Sequence, residues 1–287
     1  MSAPDALPVA TQRMGRQGGL PALLAHCFLG HSGGWEELVQ AVEPPLEALA
    51  FDMPGHGRSP PWDDPTGSGD YQADVTAILS QLIDGHADDH GQTLLIGHSF
   101  GATVALRHAL ARPETVRALV MFEPVFFAAV GDDPEFVRYL ETEAPLRAAF
   151  AAGDMEEAAR AFMQLNGDAP VWEGLPEKQR ARFAAQMKLI AASRAGVFDD
   201  SGRQLAPGRM QDLRVPVLLL AGERSPPIFA AIARALASRL GRAEQQSVAG
   251  AGHMMPITHA GECARLISGW MARNGMVGAA SARRVCG

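Results

Sequence analysis

Basic clusters, long apolar runs and cysteines are all scarce in this chain of 287 residues. The formal net charge is -7, and the one basic pair, Arg283-Arg284, falls in a Gly/Ala-rich tail that reads as floppy. A nucleic-acid partner needs a basic face, so this balance argues against one. No stretch of about eighteen uncharged apolar residues occurs, and the first twenty residues carry Pro4, Pro8 and the polar segment TQRMGRQGG in place of an apolar signal-peptide core. The expectation is a cytoplasmic protein with no membrane partner. Cys27, Cys263 and Cys286 are odd in number and widely spaced, which suggests neither a disulfide framework nor a zinc site and fits a reducing compartment. His86 and His90, in DGHADDH, are better read as a solvated loop than as metal ligands, so no metal and no cofactor is expected.

With 47 % hydrophobic and 20 % charged residues, the chain can bury a large core. Short apolar runs, LPALLAH at 20–26, LEALAFD at 46–52, TLLIGHS at 93–99, VRALVMFEP at 116–124 and VPVLLLAGE at 215–223, alternate with helical patterns near 70–84, 100–111 and 259–273. Strands alternating with helices predict an α/β fold whose mostly parallel sheet is covered on both faces. The rhythm breaks between 126 and 205, where three amphipathic helical patterns and no convincing strand predict a helical insertion. Residues 1–125 and 206–287 are then a discontinuous core, with 274–287 a flexible tail.

The pattern G-x-S-x-G occurs twice, as GHSGG at 30–34 and GHSFG at 97–101. Ser99 follows an apolar strand and opens a helical run, the setting that forces a serine onto a strained, exposed turn. Ser32 lies in a loop before a helix and reads as a loop or capping residue. A serine needs a base to remove its proton, and His253 supplies one from the glycine-rich loop SVAGAGHMMP after a short strand. His259 reads instead as the start of the last helix.

Taken in order, AHCFLGHSGGW, FDMPGHGRS, GHSFG, AGER and AGAGH resemble the loops of the α/β-hydrolase superfamily. The resemblance implies that 126–205 is a helical cap and that the backbone N–H groups of Phe28 and Phe100 form the oxyanion hole. It also exposes two departures. Where the family carries His-Gly, this chain has His26-Cys27, with Cys27 read as a small buried residue. Where the acid normally stands, on the loop after VLLLAG, this chain has Ser225. A neutral hydroxyl cannot stabilise an imidazolium as a carboxylate does. Glu123, at the end of VRALVMFEP, emerges at the same sheet edge and is the preferred acid; Glu223 is the alternative.

The expectation is a serine hydrolase acting on a small, apolar carboxylic ester, with Ser99 the nucleophile, His253 the base and Glu123 the acid. Lactones, thioesters, perhydrolysis and carbon-carbon cleavage use the same groups, and a non-catalytic binding relative is the reading from another class. Phe126, Phe127, Phe162, Met163, Trp172, Phe183, Met187 and Phe198 are available to roof an apolar pocket. The oligomeric state is not legible.

Overall fold

The computed structural model describes residues 8–167 and 171–276. Most of the expected tail, with Arg283, Arg284 and Cys286, lies outside the described residues. Seven strands form one sheet: β1 (Thr11–Gly15), β2 (Leu20–Ala25), β3 (Leu46–Phe51), β4 (Thr93–His98), β5 (Val116–Phe122), β6 (Val217–Gly222) and β7 (Ala243–Val248), in the order β1-β3-β2-β4-β5-β6-β7. Only β1 runs antiparallel, against β3; every other pairing is parallel. All parallel strands therefore end at one edge of the sheet, and the order reverses around β2 and β4, which is where ligands settle in such sheets.

The inner strands read as continuous apolar runs because both of their faces are covered. Leu95, Met121 and Leu219 pack with Phe100 and Phe229 on one side, while their neighbours Ile96, Val120 and Leu220 pack with Trp270 on the other. Each such fully buried side chain contributes about 1.5–3 kcal/mol. The edge strand β1 is TQRMG, with alternating exposure, and lacks the apolar signature that would have announced it. The sequence pattern assigned no strand to these residues; the register Thr11↔Phe51 to Gly15↔Glu47 holds them in the sheet.

Between β5 and β6 lie five α-helices, Pro134–Thr142, Ala144–Ala152, Met155–Gln164, Glu177–Ala192 and Arg194–Val197, and among the described residues of this segment there is no strand. The run PEFVRYLETEAPLRAAFAAG, read as one pattern, is two helices. Pro145 in the first turn of the second cannot donate the N–H that a continuous helix requires. These helices carry their own core, in which Leu146, Met163, Trp172, Phe183 and Met187 are buried. No described helix is long and apolar enough to cross a membrane.

Candidate active site

Ser99 sits between β4 and the helix Phe100–Ala111 with φ 56 and ψ -116, a conformation costly for a residue with a Cβ. Two contacts hold it there. Its N–H donates to the carbonyl of Phe122 on β5 at 2.8 Å, and glycines flank it. A Cβ on Gly97 would stand 2.5 Å from Cα of Ala102, and one on Gly101 would stand 2.2 Å from the carbonyl oxygen of Ala25. The helix can therefore press against β2 and β4 only because both positions are bare.

His253 follows β7 in a loop, and its Nδ1 lies 2.6 Å from Oε2 of Glu123. Glu123 is fully buried at the end of β5, with φ 41, and its other oxygen accepts the N–H of Gly222 at 2.7 Å. With Nδ1–H given to the carboxylate, Nε2 is the basic nitrogen. The ring stacks on Phe229 at 4.4 Å between centroids, and Nε2 of His98 lies 2.9 Å from the His253 carbonyl oxygen. His98, whose side chain the sequence reading did not single out, thus ties the residue before the elbow to the histidine loop. Ser99 and His253 line the same small cavity of about 170 Å³. Glu223 is exposed, and its carboxylate accepts from the N–H of Gly250 at 2.9 Å; of the two carboxylates, Glu123 is the one that meets His253. The Ser225 hydroxyl oxygen is buried without a hydrogen-bond partner.

The loop after β2 is organised around the Cys27 carbonyl. That oxygen accepts from Nδ1–H of His26 at 2.7 Å and from the N–H of Gly30 at 3.1 Å. A trans peptide points its N–H opposite to its C=O, so fixing the Cys27 oxygen also fixes the direction of the Phe28 N–H. His26 plays this part as a neutral ring, because Nε2 accepts the Met53 N–H at 3.0 Å and burial pushes its pKa down to about 4. Phe100 opens its helix, so its N–H is one of the orphan donors of a helix start. Among the described residues neither the Phe28 nor the Phe100 N–H has a hydrogen-bond partner. Cys27 is buried and its thiol is pushed up to about 12 by burial, which leaves it a small apolar filler despite its position beside the site.

The remaining sequence candidates take structural positions. The Ser32 N–H donates to Asp52 at 2.6 Å, at the start of a short 3-10 turn. His259 is the residue before the helix Ala260–Arg273. His86 differs from expectation: it is buried, with Nε2 2.9 Å from the Glu47 carbonyl oxygen, because the turn folds back over β3. His90 lies in the adjoining turn, where its N–H donates to Asp88. Among the described residues no cluster of His, Cys, Asp and Glu is arranged to hold a metal ion.

Buried neutral imidazoles make stability depend on pH. Burial lowers His26 and His108 to about 4 and His56 to about 3, and lowers His98 well below its ordinary value. The unfolded chain takes up these protons near pH 6.5 and the folded chain does not. Stability is therefore complete above about pH 6.5 and is lost as pH falls toward 4, by up to about 1.4 kcal/mol per pH unit for each histidine. Burial by itself would raise Asp52, but the N–H groups of Ser32 and Arg58 outweigh it and the net shift is downward, so its contribution disappears only below the ordinary carboxylate range. Urea midpoints should stay level from pH 8 to about 6.5 and fall between there and pH 5; a profile flat over the whole range would show that these rings protonate in place.

Two cavities meet at Ser99. The small one is joined at Phe28, Ser99, Phe162 and Asn166 by a larger one of about 700 Å³ beneath the helices that follow β5. Phe127, Phe162 and Phe198 line the large cavity, and Phe162, Met163 and Phe183 the small one. Trp172 and Met187 pack instead within the helical layer, and Phe126 within the main core.

Comparison with known proteins identifies the family to which this fold belongs. A family model described as the alpha/beta hydrolase family matches residues 22–266. The chain is 38 % identical over 116 residues to lipase LipV of Mycobacterium tuberculosis, a match covering 39 % of this chain and 40 % of that protein. It is 29 % identical over 229 residues to 2-(acetamidomethylene)succinate hydrolase of Mesorhizobium japonicum, covering 76 % of this chain and 75 % of that one. Among solved structures, a haloalkane dehalogenase loop variant from Bradyrhizobium elkanii superposes with a TM-score of 0.67 at 22 % identity, over 96 % of this chain and 95 % of the other, a likeness of fold. With the family model spanning nearly the whole described chain, from β2 to the last helix, the protein belongs to the alpha/beta hydrolase family.

Proposed function

We propose that the protein is a serine hydrolase that cleaves a carboxylic ester through an acyl-enzyme on Ser99. The observation that carries this reading is the bond between Nδ1 of His253 and buried Glu123, on a ring that shares a cavity with a serine in an elbow conformation. Nε2 of His253 takes the Ser99 proton as Oγ attacks the carbonyl carbon, and the resulting oxyanion lies against the N–H groups of Phe28 and Phe100. The imidazolium, stabilised by Glu123, then protonates the departing alcohol. Water, deprotonated by the same nitrogen, attacks the acyl-enzyme and releases the acid while Ser99 recovers its proton. Residues 126–205 act as a helical cap whose aromatic side chains make the substrate site largely apolar. Relatives named as a lipase and as a succinate-derived hydrolase support acyl chemistry; lactones and thioesters use the same groups.

The test is a series of p-nitrophenyl esters of increasing acyl length together with a fluorophosphonate probe, on wild type and Ser99→Ala. Expected are hydrolysis and stoichiometric labelling in wild type and neither in the variant. Absence of both in folded wild type would mean a binding protein on a hydrolase fold.

A further inference from the structure

The two cavities differ in size and in charge, and the chemistry of the leaving group decides which part of an ester occupies each. This inference rests on the serine-hydrolase reading. His253 must reach the departing oxygen to protonate it, and His253 lines the small cavity of about 170 Å³ but not the large one of about 700 Å³. The alcohol part therefore leaves through the small compartment, and the acyl part extends into the large one.

Charged side chains are confined to the large compartment. Arg147, Lys188 and Arg194 line it along with a single acid, Glu143, and none of the four lines the small one. Glu143 is buried, within 3.7 Å of Arg147 and 3.6 Å of Arg194. The two guanidinium side chains are about half exposed, at 50 % and 48 %, whereas Ser99 is 7 % exposed, so the cations mark the end of the cavity that opens to solvent. Arg194 is further held against the wall by stacking over Phe198 at 4.2 Å. One carboxylate cannot neutralise three cations, and this excess stands out on a chain of net charge -7. Oε2 of Glu143 also lacks a hydrogen bond, so the pairing inside the cluster is incomplete. The rest of the wall is mostly apolar, with Phe127, Phe150, Leu146 and Ile190 among its lining.

We infer that the preferred substrate is an ester of a small alcohol with a long apolar acid whose far end carries a carboxylate, held by Arg147, Arg194 and Lys188. A planar carboxylate suits guanidinium groups, whose paired N–H donors match its two oxygens. The methylene chain fills the aromatic section of the cavity, and the methoxy-sized group leaves past His253.

The experiment compares kcat/KM for monomethyl esters of linear diacids, from adipate to dodecanedioate, with methyl esters of monoacids of equal length. Wild type, Arg147→Gln and Arg194→Gln are measured, with folding checked by thermal melting and by fluorophosphonate labelling. Wild type should prefer the charged ester by about tenfold, the value of a charge-assisted contact, and the preference should fall severalfold in each variant and with added salt. Exchanging the methyl group for dodecyl should lower kcat/KM by about tenfold or more. Equal rates on charged and neutral esters would overturn the anion site, and so would a preference that survives in both variants. Equal rates on methyl and dodecyl esters would overturn the assignment of compartments. Labelling of Ser99 without hydrolysis of any hemiester would overturn the substrate class alone, whereas no labelling and no hydrolysis would overturn the serine-hydrolase reading beneath it.

Discussion

Glu123→Gln should lower kcat on a p-nitrophenyl ester by about 10⁴ while Glu223→Gln changes it by less than about threefold. The amide keeps the shape of the carboxylate, so the fully buried side chain still fits. It cannot, however, serve both of its partners. Oε1 accepts from Gly222 N–H at 2.7 Å and Oε2 faces Nδ1 of His253 at 2.6 Å, and glutamine has one acceptor oxygen for the two. Either a backbone N–H loses its acceptor and the imidazolium forms without its counter-charge, or the imidazole turns to a tautomer that cannot take the Ser99 proton at all. Glu223, exposed and bonded to Gly250, has no part in this. Turnover, thermal melting and the rate of fluorophosphonate labelling of the two variants decide the matter. A large loss in Glu223→Gln with Glu123→Gln intact would move the acid to the loop after β6.

The geometry allows a carboxylate at the end of β5 to take the part proposed for Glu123. β5 and β6 are parallel neighbours with Phe122 opposite Leu220, so their ends stand about 4.8 Å apart. A side chain one methylene longer than aspartate, carried by a residue at positive φ, reaches from the end of β5 to the His253 ring. The bond from Glu123 to Gly222 crosses this gap. On the neighbouring loop the Ser225 hydroxyl is buried and unmatched.

Buried parallel strands were legible because burial on both faces demands unbroken apolar sequence, and β4 with its GHSFG turn is the clearest instance. Glu123 was legible for a related reason, as a carboxylate at the end of such a strand. Edge elements gave no such signal. β1 is polar and half exposed and was assigned no strand, while β7, read only as the short strand before the His253 loop, is AEQQSV with its last residue alone fully buried. His26 and His98 escaped notice as positioning residues because each works through a backbone group, Cys27 and Met53 for one and His253 for the other. Nothing in a side-chain pattern announces a bond to a carbonyl 155 residues away. Arg147, Lys188 and Arg194 read as the polar faces of ordinary helices, and only the folded arrangement turns them toward one cavity.

Gly101→Ala tests whether the elbow and the oxyanion loop depend on one close approach, and it should impair both stability and turnover. The added Cβ would meet the carbonyl oxygen of Ala25 at 2.2 Å, its carbon at 2.6 Å and the His26 carbonyl oxygen at 2.6 Å. All three are backbone atoms, at the end of β2 and the start of the loop that carries Phe28. They cannot rotate aside as a side chain would, so the helix Phe100–Ala111 must retreat from β2. Its first residue carries the Phe100 N–H, and a shift of that group relative to the Phe28 N–H would spoil the proposed oxyanion pair even if Ser99, His253 and Glu123 stay together. Overpacking of this kind costs about 1–3 kcal/mol, and misplacing one oxyanion donor costs about 10² to 10³ in kcat. Gly131→Ala is the matched control, because a Cβ there meets nothing within 4 Å and its φ of -50 suits any residue. Melting temperature and kcat are measured on both variants. A Gly101→Ala protein with wild-type stability and turnover would show that the helix and β2 have slack, and that bare backbone at 101 does not set the oxyanion geometry.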